Sequence, residues 1–311
     1  MRAHRGLAWS LAGIAGVIIA SVVVAAVAST GSRPQLAGDP VGPGAAPYGP
    51  TLFGTTLSAT AGPSGVLPSS GVTSPASGAG IVRVFSAGPP PSWRSLNADT
   101  GRVPLVVSFK LPPQQVLSGA DDTSLRRWFA AAPRNRAVFW AYFHEPEDQI
   151  SAGAFTSEQF TKAWDHIARL AAQARNPALH STVVLMCWSA DPGSGRDWRS
   201  YVPRNPVPEV LAWDCYNSRA RNGVYAQPST LLSRTVEASR SIGAGWALAE
   251  LGSMLAPGDD GNGRAGWLTY VAAWAASRGA AFVTYFDSTV GGDFTLSDPS
   301  SRHAWAAVMR R

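Results

Sequence analysis

The chain has 311 residues, 45% hydrophobic and 15% charged, enough to fill one large core or two small ones. Its formal net charge is +6, but no basic run or patch stands out and two of the arginines, Arg2 and Arg5, sit at the extreme N-terminus. Nucleic-acid binding therefore has no footprint here, and the twelve tryptophans point to packing or to flat ligands such as sugars.

The first segment, residues 1–28, reads as a signal peptide or an N-terminal membrane anchor. Two arginines precede an apolar stretch from Leu7 to Ala28, and Ala26-Val27-Ala28 has the small-residue pattern of a cleavage site. The stretch is also long enough to span a bilayer, so residues 7–28 could serve as a membrane tether. Either way the remainder is expected to be secreted or otherwise extracytoplasmic. Residues 29–50, rich in Gly, Pro, Ala and Ser, read as a flexible linker.

From residue 51 to residue 311 a different rhythm holds. Short apolar, β-branched or aromatic runs recur at 51–58, 80–86, 103–110, 137–145, 181–188, 209–217, 245–252 and 280–288. Most are near-continuous, as strands buried on both faces should be. Helical patterns lie between the later runs, at 124–132, 157–175, 228–243 and 263–279. The longest carries Phe160, Trp164, Ile167 and Leu170 on one face, with Ser157 as its expected cap and Glu158 in its first turn. Strand–helix alternation of this kind predicts an α/β fold, a (β/α)8 TIM barrel. Its first two βα units are abbreviated, with loops or short turns expected at 59–79 and 87–102. A doubly wound sheet is the structural alternative, but no Gly-rich phosphate fingerprint follows the first strand.

Catalytic groups of such barrels sit at the C-terminal ends of the strands. Here those ends carry His144 and Glu145 on strand four, Trp188 on five, Asp214, Tyr216 and Asn217 on six, Glu250 on seven, and Tyr285 and Asp287 on eight. Two carboxyl groups facing each other across a barrel mouth are what retaining glycoside hydrolysis needs: one protonates the leaving oxygen while the other attacks the anomeric carbon. Glu145 and Glu250 fit that geometry. A structural salt bridge, for instance from Glu250 to Arg83, is the plainer reading of a carboxylate inside the apolar run "WALAELG".

The "FHE" at 143–145, the "ELG" at 250–252 and the "WDCY" at 213–216 resemble glycoside hydrolase family 26, the β-mannanase family, within the large clan of retaining barrel glycosidases. The resemblance covers the chain from about Leu52 onward. It implies Glu145 as acid/base and Glu250 as nucleophile, with His144 supporting the site and Asp214 and Tyr216 orienting the nucleophile or touching sugar. Trp188, and Tyr285 in place of the usual Trp on strand eight, are further expected substrate contacts. The sequence departs from the family at Glu147, where Asn is common, and has no Trp close behind it. Glu147 and Asp148 read as solvated loop charges, or as acids raising the proton affinity of Glu145.

The expected activity is therefore hydrolysis of a β-linked polysaccharide, mannan-like or β-glucan-like, by a monomer. No H-x-H occurs on the first strand and no H-E-x-x-H occurs anywhere, so neither a metal nor another cofactor is expected. A non-catalytic carbohydrate-binding barrel, keeping Trp188, Tyr216 and Trp267 as platforms, is the alternative. Cys187 and Cys215 fall near the ends of neighbouring strands, close enough for a disulfide, though two buried thiols are equally compatible with the sequence.

Overall fold

In the computed structural model of the protein, residues 49–58 and 78–311 are described. The expected leader at 1–28, the linker to residue 48 and the loop over 59–77 lie outside them.

The apolar runs become eight parallel strands: β1 (Leu52–Ser58), β2 (Ile81–Ser86), β3 (Leu105–Phe109), β4 (Val138–Tyr142), β5 (Leu179–Met186), β6 (Val210–Asn217), β7 (Gly245–Ser253) and β8 (Phe282–Tyr285). Each pairs with the next, and β8 returns to β1 to close a barrel. The helices are α1 (Trp93–Thr100), α2 (Pro113–Leu117), α3 (Asp122–Ala130), α4 (Glu147–Ser151), α5 (Ser157–Gln173), α6 (Pro228–Ser241), α7 (Asn262–Ser277) and α8 (Pro299–Met309). The cap of α5 is Thr156 rather than Ser157. Its hydroxyl accepts from the Gln159 amide while the Gln159 side chain bonds back to the Thr156 amide, satisfying two donors at once.

Residues 93–100, expected as loop, form α1. The helix is short and buries only Leu96 and Thr100, so it has almost no apolar stripe to read. A local cap and a tertiary contact hold it. Ser92 caps its first turn, and Trp93 stacks on Trp128 of α3 at 4.6 Å. The two indoles are also tied to the backbone, Trp93 donating to the Trp128 carbonyl (2.7 Å) and Trp128 to the Pro91 carbonyl (2.8 Å).

Side chains alternate in and out along each strand. The outward set, including Val82, Val107, Trp140, Leu185, Trp213, Leu248 and Tyr285, merges with the helices into one apolar layer. The inward set fills the barrel. Its lower part is apolar: Ile81, Val106, Phe139, Val210, Ala247 and Phe282. Phe139 of β4 meets Phe282 of β8, on the opposite wall, at 4.8 Å between ring centroids. Toward the C-terminal ends of the strands the same inward positions turn polar, with Thr56, Arg83, Ser108, Asp214 and Thr284, all buried.

One irregularity re-aims β7. The register with β6 runs Trp213↔Leu248 and then Asp214↔Glu250, so one residue of β7 is extra at this point. Bulges of this type kink a strand and redirect a side chain. Strict alternation from inward Ala247 and Ala249 would send Glu250 outward. The shift instead sets it beside inward Asp214.

Cys187, the first residue past β5, is bonded to Cys215 of β6, with Cα atoms 4.9 Å apart. Cys215 faces outward between inward Asp214 and Tyr216, so the bridge backs the site from behind. It spans a sequence separation of 28 residues, and loop-closure entropy for such a span corresponds to about 3–4 kcal/mol. Replacing both cysteines by serine should lower the urea unfolding free energy by an amount of that order. Thiol titration of the denatured, non-reduced wild type should count no free thiol at these positions, and two free thiols would contradict the bridge.

Candidate active site

The polar crop at the C-terminal end of the barrel is organised around a buried guanidinium. Arg83, on an inward position of β2 and fully buried, donates to Glu250 of β7 and reaches Asp214 of β6 at 3.5 Å. The Arg83–Glu250 salt bridge is thus present, and it lies inside the mouth where the other acids converge. Glu250 takes a second donor, the hydroxyl of Tyr216. Burial holds that phenol well above its ordinary pKa, so it stays a donor. Tyr216 is itself clamped by Phe294 and Phe286, at 4.8 and 5.9 Å between ring centroids. Gly252, two residues past Glu250, faces the same ring: a Cβ there would stand 2.7 Å from the Tyr216 ring and 3.0 Å from that of Phe294.

Beyond β4 the chain turns abruptly. Phe143 and Glu145 both have positive φ, 49° and 50°, a conformation that costs a non-glycine residue about 1 kcal/mol or more and clusters at functional sites. The turn sends Phe143 outward against Phe155 and brings His144 in against Phe85 of β2, at 5.5 Å. The Glu145 amide is fixed to the Val184 carbonyl (3.0 Å). Burial raises the pKa of Glu145 above the usual carboxylate range, against the opposing pull of Lys110 and Arg83. Asp214, across the mouth on β6, lies in the electrostatic field of Glu145. Burial, and the negative charge of Glu145, raise the pKa of Asp214 as well, against the opposing pull of Arg83. His144 is neutral, its pKa driven well down by burial and by the nearby Lys110 and Arg83.

The expected residues therefore divide. Glu145, His144, Asp214, Tyr216 and Glu250 come together. Trp188, 55% exposed on the turn after β5, stands at the barrel mouth as an open aromatic face. Tyr285 does not join them. It points outward, is fully buried against Trp305, and its hydroxyl is occupied by the carbonyls of Phe294 (2.8 Å) and Ser253 (3.2 Å). Trp267 likewise is a packing residue of α7, its indole bonded to the Ala226 carbonyl.

Three participants were missed or misjudged from sequence. Arg83 is a centre of the site rather than an incidental partner. Lys110 stands at the inward position one residue past β3. Glu147 is fully buried rather than solvated. The signal for the two cations was their inward parity within strand runs. Five buried polar atoms around the site have no partner among the described residues: Arg83 Nε, Ser108 Oγ, His144 Nδ1, Glu147 Oε2 and one Asp214 oxygen. Such groups are rarely left orphaned in native proteins, so they mark where a water or a polar ligand belongs. Among the described residues no cluster of three or more His, Cys, Asp or Glu is arranged to hold a metal ion.

No family model matches the chain, and no curated protein matches it. Solved structures do. A glucosidase from Croceicoccus marinus aligns at TM-score 0.59 and 14% identity over 84% of this chain, which spans 66% of the glucosidase chain. A family 26 β-mannanase from Bacteroides ovatus aligns at TM-score 0.55 and 14% identity, covering 84% of this chain and 88% of that one. The modular endo-β-1,4-mannanase of Cellulomonas fimi aligns at 0.54 and 15%, over 84% and 71%. At these identities the likeness establishes a shared barrel fold.

Glu147 begins α4 with its carboxylate turned inward, one oxygen accepting from the Met186 amide and the Ser189 hydroxyl, both at 2.8 Å. Asp148, by contrast, is exposed and paired with Arg196 at 2.6 Å. Burial raises the pKa of Glu147 from 4.5 to about 7. The folded protein thus binds this proton more tightly than the unfolded chain does. Its stabilising contribution is full below about pH 4.5 and is lost as the pH rises through about 7, a difference of roughly 3 kcal/mol. Glu147→Gln keeps the accepting oxygen and removes the titration. Urea unfolding at about pH 5 and about pH 8 should show a smaller loss of stability in the variant, and equal losses in both proteins would refute the assignment.

Proposed function

We propose that the chain is a retaining glycoside hydrolase acting on a β-linked polysaccharide, with Glu145 as acid/base and Glu250 as nucleophile. The observation that carries this reading is the unequal treatment of two carboxyl groups on strands four and seven. Glu250 receives a guanidinium and a phenol, donors that favour the ionised form an attacking group needs. Glu145 is desolvated, which favours the protonated form a general acid needs.

In the first step Glu145 gives its proton to the glycosidic oxygen while Glu250 attacks the anomeric carbon, forming a glycosyl ester as the leaving sugar departs. In the second step a water, deprotonated by Glu145, attacks the same carbon and releases Glu250. Tyr216 and Arg83 steady Glu250 throughout. Asp214, within reach of Arg83 and in the field of Glu145, links the two halves of the site. His144 supports the Glu145 turn, and Trp188 offers a stacking face for a sugar ring. Residues 1–28 support an extracytoplasmic location, by secretion or by a retained anchor, which suits a polymeric substrate. A non-catalytic sugar-binding barrel would have no use for two carboxyl groups whose surroundings favour opposite protonation states.

Glu250→Ala should lose several orders of magnitude in kcat on every substrate. Glu145→Ala should be partly rescued by a good leaving group and by azide. Near wild-type turnover in both variants would remove the assignment. Proton NMR of the first product, before mutarotation, should show the anomeric configuration retained, whereas an inverted product would overturn the double displacement. Tyr216→Phe and Gly252→Ala act on one hydrogen bond, by deleting its donor and by pushing the ring aside. Each should lower kcat about tenfold or more, and an unaffected kcat in both would deny Tyr216 its positioning role.

A further inference from the structure

One cation of the site, Lys110, has neither an ion pair nor a side-chain hydrogen bond among the described residues. Lys110 follows β3, its amide fixed to the Gly88 carbonyl at 3.0 Å. Its ammonium lies 5.1 Å from the Phe143 ring centroid and within the field of Glu145, Asp214 and Glu147. Among the described residues it nevertheless forms no ion pair and donates no side-chain hydrogen bond, whereas Arg83, beside it, is held by Glu250 and Asp214. Burial lowers the Lys110 pKa, and the neighbouring carboxyl groups and the Phe143 ring offset that cost without any direct hydrogen bond to the ammonium among the described residues.

The rim repeats the pattern. Arg219 and Arg221, in the turn over 218–222 just past β6, are exposed and pair with no described residue. Their neighbours are engaged: Arg196 with Asp148 and Arg234 with Asp191. The acids of the loops after β7 and β8 are engaged as well. Asp259 is bound by the Tyr225 hydroxyl and the amides of Gly261, Gly263 and Arg264, Asp260 by Asn262, Asp287 by the Leu296 amide and Asp293 by Thr295. Lys110 inside the site and Arg219 and Arg221 past β6 are thus cations without an ion pair among the described residues, with the Trp188 face beyond the neighbouring strand.

We propose that the substrate is an anionic β-linked polysaccharide whose sugars carry carboxylates, with Lys110 taking the carboxylate of the sugar at the cleavage point and Arg219 and Arg221 those of its neighbours. The inference rests on the glycosidase reading and names the substrate class for it. A carboxylate supplies the missing partner of a partly buried ammonium, and a charge-assisted bond of this kind is worth about tenfold or more in affinity over a neutral hydroxyl.

The test uses the whole chain with three polymers of one β-1,4 backbone: a polyuronate, the same polymer with its carboxyl groups reduced to alcohols, and a sulfated form of the reduced polymer. Affinity electrophoresis reads binding, and reducing-end release reads cleavage. The polyuronate should be bound and cleaved about tenfold better than either counterpart, and the advantage over the reduced polymer should shrink as salt screens the rim charges. Lys110→Gln should narrow that advantage about tenfold, while Lys110→Arg, which keeps the charge, should preserve most of it. Arg219→Gln with Arg221→Gln should weaken retention by the polyuronate and flatten its salt dependence. Equal or better use of the reduced polymer would overturn the anionic substrate and leave the glycosidase standing. Equal use of the sulfated polymer would overturn the choice of carboxylate. Selective binding of the polyuronate with no cleavage of any polymer would uphold the anionic ligand and overturn the glycosidase.

Discussion

Arg83 is a fully buried guanidinium inside a parallel barrel, and the arrangement of the mouth follows from the need to satisfy it. An unpaired charge at that depth would be prohibitive, and a paired one is tolerable only with good hydrogen bonds. The pairing comes from two different strands, Glu250 on β7 and Asp214 on β6, brought level by the extra residue in β7. Without that bulge Glu250 would face the helices, Arg83 would keep only its longer contact with Asp214, and the Tyr216 hydroxyl would have no carboxylate to meet. The apolar filling below fixes the height at which these groups sit.

Around this pair the remaining acids are graded by solvent and by neighbours rather than by residue type. Four carboxyl groups crowd a small volume, and mutual repulsion is relieved in three ways. Glu250 is neutralised by Arg83. Burial favours the neutral forms of Asp214 and Glu145. Glu147 is displaced to the start of α4, where an amide and a hydroxyl receive it. The left-handed turns at Phe143 and Glu145 set the backbone from which the Glu145 carboxyl projects past the end of β4.

The barrel itself was legible because strands buried on both faces leave apolar runs that survive any local irregularity. Glu145, Asp214 and Tyr216 were legible for a related reason, being polar residues at the ends of such runs. What failed was parity. Tyr285 looked like a mouth residue by position along β8, but it falls on the outward phase set by Thr284, which points in to bond the Ala249 carbonyl. Glu250 falls on the outward phase too and is rescued by a bulge that no pattern of "WALAELG" announces. Helix α1 escaped notice because it has almost no apolar stripe and the Trp93–Trp128 stack that holds it is made across the chain and not along it. Glu147 was read as solvated because its partners, the Met186 amide and Ser189, come from a turn some forty residues away in sequence.

The aromatic contact between Phe139 and Phe282 closes the barrel from wall to wall beneath the polar layer. The cavity is therefore blind. On the proposed chemistry, the hydrolytic water has no back entrance and must arrive through the opening by which the leaving sugar departs. Whatever lingers in that opening competes with water for the glycosyl ester. A second sugar lodged there would present a hydroxyl to the same carbon, and the outcome would be a longer chain instead of two shorter ones. The balance between cutting and re-joining would then be set by traffic through a single doorway rather than by the acids themselves.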